Sequence, residues 1–211
     1  MDNLIAYLPE DRGHALSRGV ELPNRADGAA LFADISGFTP LTETLTQNLG
    51  SRAGAEALTD QINVVYAALT ATVARWHGSV ISFAGDAITC WFDAVDGSAV
   101  PRAAACALAL HTAMVPFVAV ALPDGHTASL KIKVAIASGS VRRFVVGDPA
   151  VQQFDILAGA TLSRMAHGEH LAHPGEVLLD AATVAALGPS ATLGERRFGP
   201  VHDESFTCCT P

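Results

Sequence analysis

Charge is scarce in this chain. Only 16% of its 211 residues are charged, against about 25% in an average soluble domain. Bases are outnumbered, with 13 Lys and Arg facing 21 Asp and Glu for a formal net charge of −8. That balance repels a phosphate backbone, and basic residues adjoin only at Arg142-Arg143 and Arg196-Arg197. A nonspecific nucleic-acid binder is therefore excluded. Cysteine is sparse as well: Cys90, Cys106, Cys208 and Cys209 show no Cys-x-x-Cys spacing. They fit neither a disulfide framework nor a tetrahedral zinc site, and reduced thiols point to a cytoplasmic protein. No apolar run approaches the roughly 18 to 20 residues that span a bilayer, so no membrane partner is expected. Residues 1–10 hold two acids and no base, the wrong start for a secretory leader. With 18 Gly and 11 Pro, the sequence is neither low-complexity nor collagen-like.

What is present is apolar. Half the residues are hydrophobic, enough for a substantial core in one domain. A surface so poor in Lys and Glu suits an apolar contact with a partner, and equally an alanine-rich composition with none. Residues 1–26 read as an arm, with Leu4, Ile5, Tyr7 and Leu8 on one apolar face before Pro9 and Gly13 interrupt. Ala29 to Ala33 is a short apolar run ending at Asp34, the pattern of a buried strand. Thr39 then stands as a helix N-cap with Pro40 at the first helical position, and Phe38, Leu41, Leu45 and Leu49 follow at helical spacing. Leu58, Ile62, Val65, Leu69, Val73 and Trp76 advance by threes and fours, predicting a second helix that His77-Gly78 closes. Ser79 to Phe83 and Ile88 to Phe92 flank a Gly-Asp turn and read as a hairpin.

Further on, Ala103 to Val115 is helical up to Pro116. Leu130 to Ile136 reads as a half-buried strand, Ser138-Gly139 as a turn, and Val141 to Val146 as the next strand. A short helix covers about Ala160 to Ala166, then Val177 to Leu179 a strand with a helix from Asp180. Weak strands follow Thr192. This succession predicts an α+β fold, a sheet with helices packed on one face. The domain should run over 27–200, leaving 201–211 as a tail.

The chemistry concentrates at Asp34-Ile35-Ser36-Gly37-Phe38-Thr39. A carboxylate leaves a buried strand, and a Gly-containing turn opens a helix, so several main-chain N–H groups and the helix dipole face one spot. Asp86 sits at the tip of the hairpin. Neighbouring strands would bring Asp34 and Asp86 together, and paired oxygen donors beside a phosphate cradle favour Mg²⁺ or Mn²⁺. Two such ions suit phosphoryl or nucleotidyl displacement. Taken singly, each aspartate is more often a turn or cap residue. His167, His170 and His173 recur at i, i+3 and i+6, but Gly168 and Pro174 predict a loop and i+6 leaves the shared face. Trp76 and Trp91 read as packing residues rather than a base-stacking platform, and Lys131 and Lys133 as a solvated strand face, with contact to a bicarbonate-like or phosphate anion as the alternative.

The stretches Leu31-Phe32-Ala33-Asp34-Ile35-Ser36-Gly37-Phe38-Thr39 and Val80-Ile81-Ser82-Phe83-Ala84-Gly85-Asp86-Ala87 resemble class III nucleotidyl cyclase domains, especially the bicarbonate-responsive soluble adenylyl cyclase type. The resemblance runs from about Asp27 to Leu187. It implies a ferredoxin-like βααββαβ core, a homodimer or pseudo-heterodimer with sites at the interface, and conversion of ATP to cyclic AMP and pyrophosphate. It further implies that Asp34 and Asp86 hold two Mg²⁺ or Mn²⁺ ions with help from the carbonyl of Ile35. Main-chain groups of Ser36, Gly37, Phe38 and Thr39 would cradle the terminal phosphates.

The departures from the family pattern matter equally. A Lys that reads adenine is expected three residues before the Gly-Asp pair, where this chain has Ser82, and the partner base-reading position falls on Asp155. A family Asn and, four residues later, Arg fall on Leu162 and Ala166. Arg164 is two residues from the Arg position, about 200° round a helix. In tandem soluble cyclases the first half supplies the metal aspartates and the second the Asn and Arg, and Ala158 to Ala166 looks like a first half. The expectation is a metal-bearing half-site that needs a complementary domain, with another nucleoside triphosphate as an alternative to ATP. The rival reading is a catalytically silent nucleotide-sensing or dimerisation module. A diguanylate-cyclase-like or polymerase-palm enzyme would want a second acid after the hairpin aspartate, where Ala87 stands.

Overall fold

The computed structural model describes residues 9–94, 97–122, 125, 127–148, 151–201 and 203–209. Leu4, Ile5, Tyr7 and Leu8 lie outside them. The rest of the arm folds: Glu10–Ser17 is a helix, α1. β1 (Arg25–Ser36) leads into α2 (Phe38–Arg75), then β2 (Ser79–Ala84), β3 (Ala87–Asp93) and α3 (Ala99–Ala113). The short β4 (Val120–Ala121) and β5 (Thr127–Ala128) pair with each other. β6 (Lys131–Asp148), β7 (Gln152–Ala158), α4 (Ala160–Leu171), β8 (Val177–Asp180), α5 (Ala181–Leu187), β9 (Leu193–Phe198) and β10 (Ser205–Cys209) complete the order.

One eight-stranded sheet runs β2-β3-β1-β6-β8-β10-β9, with β7 pairing β6. Its pairings are antiparallel except β6 with β8. Strand alternation splits the apolar side chains between two faces. Ala29, Leu31, Ala33 and Ile35 of β1 join Val65, Leu69 and Val73 of α2 and Ala103, Cys106 and Leu110 of α3 in the main core. The α+β expectation holds, but helices do not lie on one face only: Ala30, Trp91, Ala137 and Val141 pack on the other face against Met165 of α4. Trp91 is core, as expected, and Trp76 packs against the main core.

The two helices expected before and after residue 50 are one element kinked at Gly50, whose φ is 78°. Two further differences follow from pairings between distant segments. Ser138-Gly139 is no turn, because β6 runs through it with β1 alongside, Gly28 opposite Gly139. The partner of Val141 to Val146 is then β7, Arg142 opposite Ala158. The segment expected as a tail supplies β10, whose Phe206 is buried in the sheet. Ala99–Phe117 is long and apolar enough to cross a membrane by length and composition. Here Ala103, Cys106, Ala107 and Leu110 are buried in the core.

The distal end of the sheet is tied by an ion pair. Arg197 reaches both carboxylate oxygens of Glu176 at 2.7 and 2.8 Å and the carbonyl of Leu171 at 2.7 Å. The hydrogen bonds from Arg197 hold Glu176 at about 2, well below its ordinary 4.5, against a smaller opposing effect of burial. A carboxylate depressed in the folded state binds fewer protons than in the unfolded chain. Its stabilisation is thus complete above pH 4.5 and is lost as pH falls toward about 2. Denaturation followed across that window should show a steeper acid loss in the wild type than in Glu176→Gln.

Candidate functional site

β1 and β3 lie antiparallel with Asp34 opposite Ala87. The main-chain N–H of Ile35 donates to the carbonyl of Asp86 at 3.1 Å. Gly85 takes a φ of 63° at the first position of the two-residue turn, as a type II′ hairpin allows. Asp34 and Asp86 are thereby brought to one end of adjacent strands. On the other side of β1, register places Asp34 opposite Lys133 of β6. The Lys133 ammonium sits 3.2 Å from Asp34 and 2.5 Å from Glu169 of α4.

Lys133 was expected on a solvated face. Instead its side chain is only 19% exposed and bridges two acids from different elements. Burial works against its charge, but the hydrogen bonds and charges of Glu169 and Asp34 prevail and raise its pKa. The Asp34 carboxyl is also held above its ordinary range. Burial is the largest cause, the charges of Asp86 and Glu169 add to it, and Lys133 opposes it. Asp34 and Glu169 thus share one ammonium, while the charge of Asp86 acts on Asp34 from the other side, and a cation would relieve that repulsion.

No group of three or more His, Cys, Asp or Glu arranged to hold a metal occurs among the described residues. Two carboxylates and a main-chain carbonyl are the donors on offer. That set fits Mg²⁺, which keeps several waters and binds through one or two carboxylates plus substrate phosphates.

The turn after Asp34 is fixed by glycine. Gly37 has a φ of 107°, and a Cβ there would stand 2.3 Å from the carbonyl oxygen of Ser129. Gly37, not Thr39, is the N-cap of α2, and no side chain caps the helix. Thr39 is already helical, because the close approach of residue 129 decides where the helix begins. Pro40 has no N–H, and the amide of Leu41 donates to Gly37 at 3.3 Å. The amides of Phe38 and Thr39 are left at the positive end of the helix dipole. Ser36 ends β1 opposite Lys131.

Ser82 is exposed on edge strand β2, opposite Thr89. Asp155 is placed otherwise than a base-reading group requires. Its side chain is fully buried, bonded to Arg12 of α1 at 3.0 Å and to Arg143 of β6. Arg143 also pairs with Asp11. Burial pushes Asp11 up, but the hydrogen bonds and charge of Arg143 bring it below its ordinary value.

On α4, Leu162 packs in the second-face cluster and Ala166 is exposed. Arg164 points away, as its helical offset predicted, bonding Asp180 at 2.7 Å and the Ser138 carbonyl at 2.7 Å. α4 continues through Gly168, where a loop was expected, because that glycine lets the helix approach the Phe206 ring. His167, His170 and His173 pair separately with Glu204, Glu169 and Glu176.

Residues 22–202 match the family described as the adenylate and guanylate cyclase catalytic domain. The chain belongs to this family. Rat adenylate cyclase type 10 is 26% identical over 156 residues, covering 72% of this chain and 9% of that protein. The human protein of the same name shows the same identity and coverage. This cyclase domain therefore spans a small part of the length of those relatives. Its fold is similar to the adenylyl cyclase CyaB from P. aeruginosa, with a TM-score of 0.72 and 18% identity over 89% of this chain and 95% of that one. It is also similar to the guanylate cyclase domain of RhGC from Catenaria anguillulae, solved with GTP, with a TM-score of 0.68 and 17% identity over 89% and 98% of the two chains.

Proposed function

We propose that this domain converts ATP to cyclic AMP and pyrophosphate by two-metal catalysis, as a metal-bearing half-site that needs a complementary cyclase domain. The observation that carries this reading is the convergence of Asp34 and Asp86 beside the start of α2, in a chain of the cyclase family. Divalent ions bound there would activate an attacking hydroxyl and neutralise the leaving phosphates. Asp34, Asp86 and the carbonyl of Ile35 are the groups to hold them. In this reading Lys133, paired with both Asp34 and Glu169, would yield Asp34, keep Glu169 and offer its ammonium to a polyphosphate. The amides of Phe38 and Thr39, in the first turn of α2, would meet the terminal phosphates.

The need for a partner rests on α4. Its Arg164 is committed to Asp180 and Ser138, so a guanidinium aimed at developing phosphoryl charge must come from elsewhere. Losing one costs several kcal/mol of transition-state stabilisation. Exposed Phe144, Val146, Val151 and Phe154 on the β6–β7 hairpin offer an apolar surface for the second half. Adenine is favoured through the type 10 relatives. Ser82 supplies no cation for a base, and Asp155 is held in ion pairs with both Arg12 and Arg143. A cytoplasmic setting belongs to the same reading, supported by four cysteines present as thiols. The committed Arg164 also favours a second reading, a nucleotide-binding module without turnover.

Turnover of ATP, GTP, CTP and UTP with Mn²⁺ separates these, using the chain alone and mixed with the second cyclase domain of a soluble adenylyl cyclase. The expected result is feeble product from the chain alone and cyclic AMP from the mixture. Robust turnover by the chain alone refutes the half-site. Tight ATP binding with no product from the mixture favours the silent module.

A further inference from the structure

The turn that carries Asp86 has little to rest on. Ser82 to Asp86 are all exposed, and nothing lies within 4 Å of where a Cβ on Gly85 would stand. Main-chain bonding from Ile35 to Asp86 secures one flank. The other is met by a side chain from α2. The hydroxyl of Tyr66 donates to the carbonyl of Gly85 at 2.7 Å. The Tyr66 ring meets that of Phe83 edge to face, with centroids 5.1 Å apart and planes at 82°.

We propose that Tyr66 is a positioning residue for Asp86, a latch from α2 that fixes the hairpin tip so that its carboxylate stands ready beside Asp34. The need for a latch is electrostatic. Two carboxylates must be held close before any cation arrives to offset their repulsion, and an exposed two-residue tip otherwise relieves it by swinging away. Fixing the tip beforehand removes that ordering cost from metal binding. The phenol lies in the field of both acids, since burial first and then the charges of Asp86 and Asp34 raise its pKa. It therefore stays protonated and able to donate. Phe83, edge to face with the same ring, sets its direction.

The inference rests on Asp86 being a metal ligand, and its test separates the two claims. Mn²⁺ is titrated into the full chain and free ion is counted by electron paramagnetic resonance, for wild type, Tyr66→Phe and Asp86→Asn. Phe keeps the ring and its contact with Phe83 and loses only the hydroxyl. The expected result is Mn²⁺ affinity weakened by roughly three- to tenfold in Tyr66→Phe, the net worth of one hydrogen bond, with the metal-free melting temperature lowered by no more than about 4 °C. Amide exchange of residues 85–87 in the metal-free protein should quicken in the same variant. Asp86→Asn should lose binding at this site altogether. Wild-type affinity in Tyr66→Phe, with binding lost in Asp86→Asn, overturns the latch and leaves the metal site standing. Weakened affinity with exchange at residues 85–87 unchanged also overturns it, by reducing Tyr66 to packing. Unchanged binding in Asp86→Asn overturns both claims.

Discussion

Asp34→Asn is expected to cut cyclic nucleotide production by the assembled domains by at least ~10³-fold, because a bound cation supplies several kcal/mol of charge stabilisation to the transition state. The substitution does more than remove one negative oxygen. It also removes the counter-charge 3.2 Å from Lys133, so that the ammonium repels the incoming cation more strongly. The fold should not suffer. Burial, Asp86 and Glu169 already disfavour the charge on Asp34, so the neutral amide relieves repulsion. Unfolding in urea should show stability equal to or slightly above wild type while turnover collapses, the opposition common where a site is kept at some cost to the fold. A variant that loses both in proportion would make Asp34 a structural residue.

The second large effect concerns stability. Asp155→Ala should destabilise the protein by about 3–5 kcal/mol, the usual consequence of leaving buried charge without its counter-ion. Arg12 and Arg143 both depend on Asp155, whose side chain is fully buried, and Arg143 itself is 3% exposed. Arg12→Ala should cost less, since Arg143 would keep both Asp11 and Asp155. Chemical denaturation of the two variants reads the difference directly. Equal, small losses would mean that water reaches the network and screens it. The same network ties α1 to the sheet, so its loss should also free the first helix.

These two sites show where local sequence suffices and where it does not. Alternation and helical spacing made β1, the β2–β3 hairpin and α2 legible, since each carries its own apolar period and its own Gly or Gly-Asp stop. Asp34 and Asp86 were legible as a pair for the same reason: both stand at turns that punctuate strong strands. Lys133 was not. Its alternating neighbours describe a half-buried strand correctly, but its role depends on register with Asp34 and on the approach of Glu169 from α4. Asp155 was misleading for a similar reason. Position along a motif marks it as base-reading, while its two guanidiniums come from residues 12 and 143. The local signal puts the helix start two residues late, because Thr39-Pro40 is a good local cap and only the approach of Ser129 shows why Gly37 takes that place. Tyr66 sits in a helical run of apolar residues, and nothing in that run marks its hydroxyl for Gly85.

The proposal that Asp34 and Asp86 jointly chelate a cation is tested most directly by locating Mn²⁺ through its anomalous diffraction in crystals grown with a non-cyclisable ATP analogue. The result expected is an ion peak between the two carboxylates, with the Ile35 carbonyl and triphosphate oxygens completing the shell and the Lys133 ammonium turned from Asp34 to the nucleotide. A nucleotide bound with its triphosphate remote from residues 34 and 86, or an ion held elsewhere while Lys133 still pairs with Asp34, would contradict it.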